Sequence, residues 1–209
     1  MVSKLFLSDS FYADILGILS LQTDTIKAAL VTSALATGYS AWVASTPYDV
    51  DDIVIPTTRT GRRYICTVSG TSHSSEPTWP TTDKATVTDN TVTWQEYGGD
   101  LADLDVWADA SGSEVASGDG YITGGATVGG ISAVSDGQSA VLSATNVTWS
   151  ALSKTMRYAF LYANKTVGSQ VNPIIGYILL NDDFSDVTVS GVDFIVNWDA
   201  AGVLQLTRG

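Results

Sequence analysis

The run Arg-Tyr-Ala-Phe-Leu-Tyr-Ala at residues 157–163 decides the fold. Tyr158, Phe160 and Tyr162 share one parity, and Ala159, Leu161 and Ala163 share the other. A period of two places successive side chains on opposite faces of a sheet, as in a strand of a β-sandwich. The same texture extends in both directions. Strands are predicted at 140–142, 146–149, 174–180, 187–190, 193–198 and 203–207, and upstream at 25–32. In that last segment Ile26, Ala28 and Leu30 alternate with Lys27, Ala29 and Val31. Gly118-Asp119-Gly120, Gly124-Gly125 and Gly129-Gly130 punctuate the middle of the chain as turns. The best helix candidate is the opening segment. Ser8, Asp9 and Ser10 offer caps, and Phe11, Ile15, Ile18 and Leu19 follow at helical spacing to about Ser20, with Gly17 a weak point. The expected fold class is therefore all-β: a β-sandwich or jelly-roll-like outer domain with a short N-terminal helix.

Residues 41–98 change character. They hold four of the five prolines, three of the six tryptophans, and the only His and Cys. Short strands are predicted at 52–55, 64–68, 85–88 and 91–94, the last two flanking a hairpin turn at Asp89-Asn90. Between them a loop at 74–82 carries Trp79 braced by Pro77 and Pro80. The expected organisation is one β-sandwich from 1–40 and 100–209, interrupted by a small β module at 41–98. The echo of NTVTW at 90–94 in NVTW at 146–149 is too short to make a repeat.

Composition narrows the function. With 44% hydrophobic and 15% charged residues in 209, the chain is expected to fold around real cores. Ten Lys and Arg against 22 Asp and Glu leave a net charge of −12, the wrong sign for a nucleic-acid partner. The one basic run, residues 59–63, is too short to reverse that field. A single cysteine allows no intramolecular disulfide, so stability must come from packing or oligomerisation. The N-terminal segment bears one lysine and lacks an A-x-A-like cleavage site, and no run of 18 apolar residues occurs. Folding and assembly in a cytoplasm, with no membrane span, are the expectation. The sequons at Asn146 and Asn164 then carry no meaning.

Catalytic chemistry finds little to work with. His73 lies in a Ser-rich loop, away from any patterned nucleophile. Cys66 falls in register with Tyr64 and Val68 on one strand face and reads as a small core residue. One His and one Cys do not assemble a zinc site. Asp49, Asp51 and Asp52, and Asp182, Asp183 and Asp186, are oxygen-rich enough for calcium, but neither cluster has the EF-hand spacing and loop aspartates commonly cap turns. No glycine-rich loop leads into Lys and Ser/Thr, so no phosphate cradle is predicted. The expectation is a non-enzyme without metal or cofactor.

Four blocks of sequence carry a resemblance. TDTIKAALVTS at 23–33, GDGYITGGATVGG at 118–130, NVTWSALSKTMRYAFLY at 146–162 and VDFIVNWDAAGVLQLT at 192–207 occur in this order. Together they resemble a family of tailed-bacteriophage virion proteins variously labelled head decoration, head fibre or tail fibre. The resemblance implies a β-sandwich structural protein of the particle. Residues 41–98 resemble a second element, a small module similar to carbohydrate-binding modules of the chitin-binding kind. Its marks are YDVDDIV at 48–54, Tyr64-Ile65-Cys66, Gly70-Thr71, Glu76-Pro77-Thr78-Trp79-Pro80 and Thr91-Val92-Thr93-Trp94. Asp51 and Asn90 stand where that family usually has Gly; both are turn formers.

Sugar binding uses flat, exposed aromatic faces against the apolar face of a pyranose. Trp79 and Trp42 are the candidate platforms, with Tyr48 and Glu76 as hydrogen-bonding neighbours. Trp94 is the stronger core candidate, because a module this small without a disulfide needs tryptophan in its core. The functional expectation is capsid decoration on the virion exterior by a homotrimer. The apolar segment 2–21 would contact capsid proteins or sibling chains, and the module would face host-surface glycans. The alternative is a tail fibre or receptor-binding tail component. A polysaccharide depolymerase fits poorly with so short a chain.

Overall fold

The alternation at 157–163 is realised as the strand Tyr158–Ala163, central in a five-stranded antiparallel sheet. The computed structural model describes residues 5–7, 23–135, 139–198 and 203–207. The helix expected at 8–20 lies outside them. The chain divides into two compact units, Met1–Leu35 with Asp103–Gly209, and Ala36–Ala102.

In the first unit the sheet runs Leu5–Leu7, Ile174–Leu179, Tyr158–Ala163, Ile26–Val31, Ala126–Thr127. Register pairs Tyr158 with Val31 and Ala163 with Ile26 on one side, and Tyr158 with Leu179 on the other. Both faces of the central strand are buried. Ala159, Leu161 and Ala163 join Ile26, Ala28, Leu30 and Ile178 in a core shared with Val147, Trp149, Leu152, Met156 and Val196. Those last five belong to a two-stranded ribbon, Val147–Met156 with Val187–Val196, so the core lies between sheet and ribbon as in a sandwich. On the other parity Phe160 stacks on Tyr177 at 5.6 Å and Trp107 lies parallel to Tyr162 at 4.8 Å. Truncating a buried ring such as Phe160 costs about 3–5 kcal/mol. A further sheet joins Ser132–Ser135, Ser139–Ser143 and Leu204–Thr207.

Two strands are longer than the sequence suggested. The ribbon strand read as 187–190 and 193–198 is one element, because Gly191 at φ +64° lets the chain continue past a local irregularity. Its partner, read as 146–149, extends to Met156 through Ala151, also at positive φ. Among the described residues the one helix is α1, Trp107–Ser111, which the sequence did not announce. Five residues are too few to display a period, and its first turn is capped by Asp109, whose Oδ2 accepts the N–H of Asp105 and of Val106 at 3.1 Å each.

The second unit is a sheet ordered Ser40–Ala41, Ile53–Ile55, Arg62–Val68, Val92–Gly99, Thr86–Asp89, with a short pair Pro47–Tyr48 and Gly70–Thr71 beside it. Trp42, Val54, Tyr64, Cys66, Val92 and Trp94 form its core. The hairpin turn is shifted by one residue from expectation. Asp89 pairs with Val92, leaving Asn90-Thr91 as the loop, because the Asp89 side chain is drawn inward and Asn90 takes the left-handed φ of 57°. Asp51, at φ 74°, does the same. Both are positions where glycine is the easy choice and Asn or Asp the tolerable one. Val68 was expected beside Tyr64 and Cys66 in the core. It is 52% exposed, since the register slips between Cys66 and Val68.

The basic run at 59–63 is consumed within this unit. Arg59 pairs with Asp100 at 2.5 Å and Arg62 with Glu96 at 2.6 Å, both acids being buried. Arg63 donates to the Tyr39 hydroxyl and the Tyr97 carbonyl, and its guanidinium lies about 5 Å from both rings. Buried charges survive only when paired in this way.

Candidate functional site

Three strands and the Pro-braced loop bring four rings of the second unit together. Tyr64, on Arg62–Val68, and Trp94, on Val92–Gly99, point inward from neighbouring strands and are fully buried. Trp79 comes down from the loop onto Tyr64, with centroids 4.3 Å apart, and meets Trp94 edge-on at 6.0 Å. Tyr48 meets the same indole edge-on at 4.8 Å. Tyr48 and Trp79 are half-buried, so one side of this cluster is open to solvent.

Three polar anchors hold the loop. The Tyr64 hydroxyl donates to the Pro80 carbonyl at 2.8 Å. Glu76 Oε1 accepts the Trp79 indole N–H and the Thr57 backbone N–H, each at 2.8 Å, and Oε2 accepts from the Thr57 hydroxyl. Burial alone would raise the Glu76 carboxyl, but the hydrogen bonds from Thr57 and Trp79 outweigh it and hold the group below its usual value. Burial pushes the Tyr64 phenol up to about 12, against the opposing field of Arg62, so its hydroxyl is a donor throughout the neutral range. Asp89 is the third anchor. Its Oδ2 accepts the indole N–H of Trp42 at 2.8 Å and of Trp94 at 3.1 Å, while Oδ1 accepts the His73 backbone N–H at 2.8 Å.

The residues singled out from sequence meet different fates. Trp79 is a half-buried ring on a pinned loop. Trp42 is not a platform: it is 6% exposed and its N–H is committed to Asp89. Tyr48 contributes a ring edge, but its hydroxyl is bound to the backbone of Val43. Glu76 acts on the loop, since its carboxylate is occupied by Thr57 and Trp79. Asp89 and Tyr64 were missed as anchors. Asp89 shares the inward parity of Val87, so period-two reading had the signal and turn chemistry obscured it.

His73 is exposed and its Nδ1 lies 3.1 Å from Ser75 Oγ. Cys66 is 1% exposed. Asp52 caps the turn at the Asp49 N–H at 2.8 Å, Asp183 caps Ser185, and Asp186 pairs with Arg157 at 2.8 Å. Among the described residues no three acids, histidines or cysteines converge to hold a metal. No helix among them is long and apolar enough to cross a membrane. No known protein family, curated protein or solved structure matches the chain.

Proposed function

We propose that this chain is a non-enzymatic structural protein of a tailed-bacteriophage particle, a homotrimeric decoration protein bound to capsid subunits on the head exterior. The observation that carries this reading is the convergence of the four resembling blocks on a single core. Ile26, Ala28 and Leu30 from the first meet Tyr121 and Val128 from the second, Trp149, Leu152 and Leu161 from the third, and Val196 from the fourth. Blocks that recur in order and pack on one another make one folding unit, which is what a shared architecture requires. The ribbon strand Val187–Val196 supports association with sibling chains, with Val192 51% and Ile195 46% exposed along it.

The second unit is the adhesion element of this reading. Its half-exposed Trp79 stacks on a host-surface glycan, weakly at each copy and usefully across many copies. The deciding experiment is quantitative mass spectrometry of purified particles from a host lysate that contains the chain. Hundreds of copies per particle are expected. A few or a dozen copies move the chain to the tail fibre or receptor-binding apparatus, and none overturns the virion reading.

A further inference from the structure

The first unit contains an open groove of about 680 Å³, on different elements from the aromatic cluster around Trp79. The start of α1, the Thr123-Gly124 turn and the segment around Asn172 line it. Glu114 stands in this groove with its two oxygens in different states. Oε1 accepts the Tyr121 hydroxyl and the Gly124 N–H, both at 2.6 Å, which fixes the plane of the carboxylate. Among the described residues no group donates to Oε2. Opposite, Asn172 is held by its backbone on both sides, its N–H donating to the Lys165 carbonyl and its carbonyl accepting from Trp107, each at 2.8 Å. Its side-chain amide has no hydrogen-bond partner among the described residues. The hydroxyls of Thr123 and Ser169, also in the lining, likewise have no hydrogen-bond partner among the described residues. Val106, Ala108 and Val171 complete the surface with apolar groups.

The walls are stiff. Tyr162 donates to the Gly124 carbonyl at 2.8 Å, and Trp107, whose N–H fixes Asn172, lies parallel to the Tyr162 ring. Polar groups are thus presented in place without a ligand, which lowers the entropy lost on binding.

The geometry points to a neutral saccharide as the ligand of this groove. A single carboxylate with no lysine or arginine in the lining repels phosphates and carboxylates. An ammonium group only donates, so it would use Glu114 and the amide and hydroxyl oxygens but leave the Asn172 amide N–H and the hydroxyl protons of Thr123 and Ser169 without an acceptor. A sugar uses all of them: its hydroxyls donate to Glu114 Oε2, exchange hydrogen bonds with Asn172, Thr123 and Ser169, and its C–H face lies on the apolar wall. The volume falls within the range of small-molecule sites and suits about two sugar rings. This site is independent of the Trp79 surface, so either can fail without the other.

The test is saturation-transfer NMR on the full chain with cellobiose, maltose, lactose and N,N′-diacetylchitobiose, run beside Glu114→Gln and Ala108→Trp. Glutamine keeps an acceptor oxygen for Tyr121 and Gly124 and replaces only the open oxygen. Ala108 is exposed, so a tryptophan there fills the groove without entering the core. At least one disaccharide is expected to bind with a Kd of about 1–10 mM. Glu114→Gln should weaken it about tenfold or more, and Ala108→Trp should abolish it, both with unchanged thermal unfolding. Absence of saturable binding by all four sugars up to about 20 mM overturns the proposal. So does wild-type affinity in either variant, as when the signal is instead lost in Trp79→Ala alone.

Discussion

Trp42 donates its indole N–H to the buried Asp89 carboxylate at 2.8 Å, and this contact organises the smaller unit. The same oxygen takes the Trp94 indole, and the other oxygen takes the His73 backbone, so one side chain joins two core tryptophans to the loop that carries Trp79. Asp89→Ala strands two buried indole donors and is expected to destabilise this unit on the order of 3 kcal/mol or more. Trp42→Phe removes one donor and keeps most of the packing, and should cost about 1–2 kcal/mol. Urea unfolding followed by tryptophan fluorescence measures both; equal effects would contradict the shared-anchor account.

The loop around Trp79 should loosen in acid. Glu76 titrates below its ordinary value of 4.5 when folded, so its contribution is present above that value and fades as pH falls through the folded value. The Trp79 indole N–H resonance, bonded to Glu76, is expected to shift and broaden between neutral pH and about pH 3. Glu76→Gln should remove that transition while leaving the Tyr64–Pro80 contact in place. A transition that persists in the variant would assign the acid sensitivity elsewhere.

Trp79→Ala removes a half-buried ring from Tyr64 and Trp94 and should cost about 1–3 kcal/mol. Under the proposed function, particles carrying it are expected to adhere less to host cells while retaining the chain at its normal copy number. Normal adhesion would leave the loop as a structural spacer.

The strands were legible where side-chain parity was clean. Residues 158–163 and 26–31 alternate without interruption, and both strands lie where the pattern placed them. The misreadings cluster where backbone irregularity breaks parity. The slip after Cys66 turns Val68 outward, and Gly191 and Ala151 hide the continuity of the ribbon. At the candidate site, Trp79 was legible because flanking prolines mark a stiff loop. Asp89 was not, because an acid beside Asn reads as turn chemistry while its inward direction depends on partners 5 and 47 residues away. The groove at Glu114 had no local signal at all, since it is assembled from three distant segments.

Cys66 should be inert in the native chain. It is 1% exposed and its Sγ donates to the Val68 carbonyl at 3.3 Å. Burial pushes its thiol up, and the negative field of Asp52 adds to this, so little thiolate forms at neutral pH. A thiol reagent is expected to label it only on unfolding, with labelling tracking the denaturant curve. Cys66→Ala should cost about 1–2 kcal/mol through a small cavity. Fast labelling without denaturant would show that this core opens locally.

Two glycines a few turns apart should respond in opposite ways to alanine. Gly125 sits at φ +71°, and a methyl group there would lie 2.1 Å from the Ala28 carbonyl oxygen. Ala28 is in the sheet's Ile26–Val31 strand, so the backbone it would hit has no freedom to retreat. Gly125→Ala is expected to destabilise the larger unit by about 3 kcal/mol or more, from strain and displaced strand pairing together. Gly112, which ends α1 at φ −62°, has nothing within 4 Å of the same methyl position. Gly112→Ala should be neutral or stabilise by about 0.5 kcal/mol, since it only narrows the unfolded ensemble. Thermal unfolding of the two variants beside the parent chain checks the pair. Similar midpoints would mean that the 118–130 segment does not pack against the sheet edge as described.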